Sequence, residues 1–168
     1  MTVRSIVTYP DPRLLAVAEP VTEFDAALRE LADDLLDTMR AAPGVGITAP
    51  HIGVPKRLVV LELQRDDVRI YVNPRLVWAS QEKSRHTEGS VSMPGVVEEV
   101  ERHSEVEIAH QDLDGVERTE RADGFLAVCH QHEIDQLDGI FWIQRLSKLK
   151  RDRLIKRYEK LRLAGRVR

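Results

Sequence analysis

The chain has 168 residues, of which 42% are apolar and 32% charged, with 9 Gly and 8 Pro, a composition that excludes disordered, collagen-like and repeat proteins. The length suits one hydrophobic core, and a single domain over residues 1–168 is expected. The net charge of −3 hides an imbalance: residues 145–168 carry 11 Lys/Arg against 2 acids, whereas residues 1–144 carry 14 basic and 26 acidic side chains.

Taken in chain order, the opening MTVRSIVTYPDPR has no apolar signal core. Asp25 is placed to cap a helix running through AALRELADDLLDTMRAA, where Leu28, Leu31, Leu35 and Met39 recur at helical spacing until Pro43-Gly44 stops it. Arg57–Leu63, Asp67–Val72 and Arg75–Trp78 are apolar, β-branched runs that predict strands. Val96–Val100 and Val106–Ala109 alternate polar with apolar, and Asp112-Leu-Asp-Gly115 predicts the turn joining two strands. From Ala122 to Leu137 a buried helix is expected on a stripe of Leu126, Cys129, Ile134 and Leu137, ended by Gly139. A last helix spans Ser147 to Leu163, with Leu149, Ile155, Leu161 and Leu163 expected on its inner side. Strands segregate from helices, so the fold class is α+β, with short antiparallel strands, and not a parallel α/β sheet.

No apolar run approaches the ~20 residues of a membrane helix, so no membrane partner is expected. Cys129, the single cysteine, has no intramolecular partner for a disulfide. A reducing cytoplasm is the simplest compartment. The basic segment 145–168 has two readings: a solvated helix face packed on an acidic body, or a contact with a polyanion such as ribosomal RNA. It holds no aromatic residue beyond Tyr158, so such a contact would run through phosphates and weaken with salt.

Three islands are rich in chemistry. Gly44–Gly53 (GVGITAPHIG) is a glycine-rich turn between helix and strand, the reverse of the strand-to-helix order of a phosphate loop. Glu88–Pro94 (EGSVSMP) reads as a tight polar turn. His132-Glu-Ile-Asp-Gln136 resembles the start of a metal-hydrolase helix, in which His at i and i+4 bind the metal and Glu moves the proton; here i+4 is Gln136.

Together, GxGxxAPxxG at 44–53, EGxxS at 88–92 and QHExD at 131–135 resemble the three signatures of peptide deformylase. Ile6–Arg13 with Pro20-Val21, Arg102, Ala122-Asp-Gly124 and Leu137-Asp-Gly139 extend the resemblance over nearly the whole chain. The resemblance implies an α+β fold with a central helix beneath a peptide cleft. It also implies a hydrolase that removes the formyl group from the N-terminal Met of new polypeptides. The implied metal is Fe, with Zn or Ni as replacements, held by a Cys of the second motif and two His of the third. A Glu then handles the proton, and a Gln with backbone beside the Cys stabilises the oxyanion.

Carried over by position, His132 matches the first His ligand and Glu133 the acid/base. Ser90 stands at the Cys position, Gln136 at the second His, His51 at the oxyanion Gln, and Thr48 where a small Ala is usual. A serine hydroxyl stays protonated near neutral pH and a carboxamide offers only a neutral oxygen. Replacing two of three strong ligands should cost on the order of 5 kcal/mol of metal affinity, since four-ligand zinc sites bind with ~10–16 kcal/mol. No cofactor is therefore expected at full occupancy; if any binds, it is a divalent Fe, Zn or Ni ion.

Three readings follow. One is a deformylase-like protein without ordinary deformylation that binds a formylated or acylated peptide N-terminus or a related small molecule. Another is a hydrolase with a rebuilt metal site, with His51 beside His132 and Glu133 or a water completing the shell. The third is metal-free catalysis by Ser90 with His132 as base, oriented by Glu133 or Gln136. The resemblance gives Val45, Gly46, Gly89, Ser90, Val91, Val128 and His132 as cleft walls. A peptide would add as a strand along 44–47 and 89–91. The same pattern pairs Glu88 with Arg102 under the cleft.

Overall fold

The computed structural model describes residues 2–167. Helix α1, Ala26–Ala41, starts where the Asp25 carboxylate accepts the Leu28 N–H at 3.0 Å. Its buried Leu28, Ala32, Leu35 and Met39 lie at helical spacing and face the first strands. The chain then forms β1 (Gly46–Thr48), a 3-10 turn over Ala49–Ile52, β2 (Leu58–Leu61) and β3 (Arg69–Ala79). Next come β4 (Lys83–Ser90), β5 (Met93–His103), β6 (Glu105–Gln111) and β7 (Glu117–Asp123). Two helices close the fold, α2 (Gly124–Leu137) and α3 (Lys148–Leu163). Five strands make an antiparallel sheet in the order β1-β2-β3-β6-β7, while β4 and β5 form a separate antiparallel hairpin. This is the expected α+β architecture around a central helix.

The structure corrects several boundaries. The strands read at Asp67–Val72 and Arg75–Trp78 are one strand, β3, bent by register irregularities on both sides of Arg75. Pro74 makes a break there look inevitable, but Asn73 absorbs it at φ 51°, its side chain bonded to both backbone groups of Val21. Gly46–Thr48 is strand β1, not part of a turn. Glu88–Ser90 ends strand β4, and only Val91 and Ser92 separate it from β5. Ala122 and Asp123 belong to β7, so α2 starts at Gly124, whose φ of 54° swings the chain out of the strand. On α3 the buried side chains are Leu154 and Tyr158, with Ile155 and Leu161 partly packed beside them. Leu149 and Leu163, expected inside, are 62% and 90% exposed because they fall off the stripe that 154, 158 and 161 define.

Helix α2 lies between the sheet and the hairpin and is buried on every residue from Ala127 to Leu137. Such a helix is ordinarily apolar all round. This one carries His130, Gln131, His132, Glu133, Asp135 and Gln136 into the interior. Each then needs a partner, because a buried polar group without one costs about 1–3 kcal/mol. Those partners define the site.

Candidate functional site

The underside of α2 is an ion-pair network. Arg102 of β5 donates Nε–H and Nη2–H to the two Glu88 oxygens at 2.8 and 2.9 Å, and Nη1–H to Asp135 Oδ2 at 2.6 Å. Arg145, just beyond α2, adds two more bonds to Asp135 at 2.9 and 2.7 Å. Glu88 Oε1 also lies 2.8 Å from His132 Nδ1. Burial pushes the Glu88 carboxyl up, but Arg102 and His132 outweigh it and bring it to about 2. Glu88 is thus a carboxylate, so His132 Nδ1 carries the proton in that bond and Nε2 is left for the cleft. Burial opposes charge on His132, yet Glu88 and Glu133 hold its pKa above the ordinary imidazole value. The Glu88–Arg102 pair expected from the resemblance is present.

Above the helix lies a cleft of about 390 Å³. Its lining includes Val45, Gly46, His51, Gly89, Ser90, Val91, Val128, Cys129, His132 and Glu133. Gly46 is required by close approach: a Cβ there would meet Glu133 Oε1 at 2.8 Å and Leu61 Cδ2 at 2.9 Å. Glu133 Oε2 is buried with no partner among the described residues, and burial raises the carboxyl to about 7, with Glu88 adding to the rise while His132 and Arg102 oppose it. His51 is the second orphan. The Thr48 backbone N–H donates to His51 Nδ1 at 2.9 Å, with the Thr48 hydroxyl at the same distance. Nδ1 is therefore the acceptor and Nε2 carries the hydrogen, buried and with no partner among the described residues. Burial, then His132, lowers the His51 pKa to about 3, which keeps the ring neutral.

Ser90 Oγ accepts the Ser92 N–H at 3.1 Å and is not hydrogen-bonded to His132. Cys129 also lines the cleft, but burial, then Glu133 and Glu88, push its thiol up to about 12. It supplies no thiolate in place of the missing one.

Gln136 departs most from expectation. It is not on the cleft; its Nε2–H donates to the Leu14 carbonyl at 2.8 Å, 122 residues away in sequence. Nearby, the Ala18 N–H and Arg57 Nη1–H satisfy the Leu137 carbonyl at the end of α2. Nor does either residue named as the orienter of His132, Glu133 or Gln136, have that role: Glu88 holds the ring.

The residues present do not fit a resident divalent metal. Of the three ligand positions, His132 alone offers a strong donor. Ser90 offers a hydroxyl, and Gln136 offers at most a neutral amide oxygen on a side chain that its Nε2–H ties to the Leu14 carbonyl.

Residues 3–152 match the family model described as polypeptide deformylase. A "Peptide deformylase-like" protein of Brucella melitensis is 74% identical over 96% of this chain and 99% of its own length. Rhizobium meliloti has both a "Peptide deformylase-like" relative, 58% identical over 98% of this chain and 96% of its own, and a "Peptide deformylase", 44% identical over 95% and 94%. Among solved structures, a peptide deformylase from Legionella pneumophila superposes with a TM-score of 0.92 at 36% identity, covering 99% of this chain and 100% of that one. One from Ehrlichia chaffeensis in complex with actinonin gives 0.88 at 38% identity, covering 95% and 98%.

Proposed function

Because this chain belongs to the polypeptide deformylase family, we propose that its cleft holds the formylated or acylated amino end of a peptide, or a related small molecule, without ordinary metal-dependent deformylation. The observation that carries this reading is the hydrogen bond from Gln136 Nε2–H to the Leu14 carbonyl, which ties the side chain at the second imidazole position away from the cleft. The apolar walls Val45, Val91 and Val128 suit a methionine-like side chain, and His51 Nε2–H suits an acyl oxygen. Metal analysis of gently purified protein and turnover of formyl-Met-Ala-Ser test it together. The expected result is sub-stoichiometric metal, no formate release and measurable binding of the peptide. Near-stoichiometric Fe, Ni or Zn with formate release would overturn it. The triple variant Ser90→Cys, Gln136→His, His51→Gln should regain metal and turnover.

A second reading is favoured by the His132 Nδ1 bond to Glu88, which leaves Nε2 open as a base: metal-free acyl transfer by Ser90. The Ser90 oxygen would attack the acyl carbon while its proton passes to His132 and on to the departing nitrogen. Water would then hydrolyse the acyl-serine. Amide hydrolysis unchanged in Ser90→Ala would dispose of it. For the basic segment 145–168 the proposal is a phosphate-mediated polyanion contact in the cytoplasm. Among the described residues no helix is long and apolar enough to cross a membrane.

A further inference from the structure

A second cavity, of about 150 Å³, adjoins a different set of α2 residues, and its lining includes Lys83, Glu101, Arg102, His103, Asp135 and Arg145. It is the outer end of the network under the cleft. Two guanidinium groups, Arg102 and Arg145, converge on the single Asp135 carboxylate. The Arg145 side chain is 46% exposed, and its Nη1 makes no bond among the described residues. Lys83 has no ion pair among them either. The one further acid on the lining, Glu101, has Arg85 at 3.9 Å. Arg145 Nη1 and Lys83 thus remain as cationic donors with no carboxylate partner among the described residues, and guanidinium groups bind oxyanions in paired hydrogen bonds.

We infer that this cavity takes a small free oxyanion of the sulfate or phosphate type, with Arg145 as its main donor and Lys83 as the second charge, and that its occupancy is felt at His132. The route is continuous: Arg145 to Asp135 at 2.7 Å, Asp135 to Arg102 at 2.6 Å, Arg102 to Glu88 at 2.8 Å, and Glu88 to His132 at 2.8 Å. An anion that draws Arg145 away leaves Asp135 with Arg102 as its remaining cation. Arg102 shifts toward Asp135, its hold on Glu88 loosens, and Glu88 turns more fully to the His132 Nδ1–H. Each of the three middle members, Asp135, Arg102 and Glu88, bonds to both of its neighbours, which is what such coupling requires.

The test is a sodium sulfate titration of the full-length, isotopically labelled chain, with sodium chloride holding ionic strength constant. The Arg145 Nε–H and His132 Nδ1–H resonances are followed by NMR. Both should move saturably with one common midpoint. Lys83→Ala, an exposed strand position, should raise that midpoint about tenfold, the size expected for losing one charge-assisted bond. Arg145→Lys, which keeps the charge but not the paired donors, should uncouple His132. Inorganic phosphate and a short RNA serve as separate arms, and phosphate should reproduce the sulfate effect. Four results would each overturn the inference: chloride moving the signals as sulfate does, His132 unmoved at sulfate saturation, both variants leaving the midpoint and coupling unchanged, or RNA alone producing the shift.

Discussion

The two sides of α2 are built on opposite principles. On the underside both carboxylates are answered: Arg102 and Arg145 hold Glu88 and Asp135 in bonds between 2.6 and 2.9 Å, and the Glu88–Arg102–Asp135 part lies out of water. On the cleft side two buried polar atoms, His51 Nε2 and Glu133 Oε2, have no partner among the described residues. The difference separates what holds the helix from what the helix offers. The supports that orient His132 are complete with Ser90 and Gln136 at the positions the resemblance gives to metal ligands. Saturated groups there serve stability, and orphaned groups on the other side mark where a ligand must bring its own donors and acceptors.

The comparison breaks most visibly at Arg102. Truncating it by Arg102→Ala leaves Glu88 and Asp135 buried with reduced or no compensation, which costs about 3–5 kcal/mol when one member of a buried pair is removed. Urea denaturation should show that loss, whereas Val45→Ala on the cleft wall, where no charge is stranded, should cost far less. Equal costs on the two sides would erase the distinction.

How far this division could be read beforehand differs between fold and site. Helix α1 was legible because its signals are local: the Asp25 cap and the Leu28 to Met39 stripe lie within one stretch. Strand β4 was not, because KSRHTEGS has almost no apolar residue and forms a strand through pairing with β5. In the site, motif spacing placed Ser90, Val91, His132 and Glu133, and the cleft brings them together. It misplaced Gln136. A helix sets residues i and i+4 on one face, so Gln136 looked like a companion of His132. Its partner is the Leu14 carbonyl, supplied by a distant segment that no local pattern encodes. The Thr48 bond that fixes the His51 ring was within reach, three residues away, but reads as loop chemistry until the ring is seen buried.

Acid sharpens the contrast. Glu88 is held at about 2 against an ordinary value of 4.5, so its ionised form favours the fold. That stabilisation is fully present above pH 4.5 and is lost as the pH falls through about 2. It amounts to about 3 kcal/mol, since each tenfold change in proton affinity is worth about 1.36 kcal/mol. The stability gap between the native chain and Glu88→Gln should therefore close as the pH falls from about 4.5 toward 2. A gap indifferent to pH would mean that the network does not depend on the Glu88 charge.

The smallest effect is expected at the tie between α2 and the N-terminal segment. Gln136→Leu keeps most of the buried volume but leaves the Leu14 carbonyl with no side-chain donor, at a cost of about 1–3 kcal/mol for an unsatisfied buried acceptor. Gln136→His is the more telling change. If the amide is purely a tie, the histidine should destabilise the chain to a similar extent and, with Ser90 unchanged, should recruit no metal. The added imidazole would have to leave Leu14 to reach the cleft, and a serine hydroxyl would still stand where a third strong donor is needed. A single Gln136→His variant that takes up stoichiometric zinc with a rise in melting temperature would show that the helix still presents position 136 to the cleft, and that the tie to Leu14 is incidental.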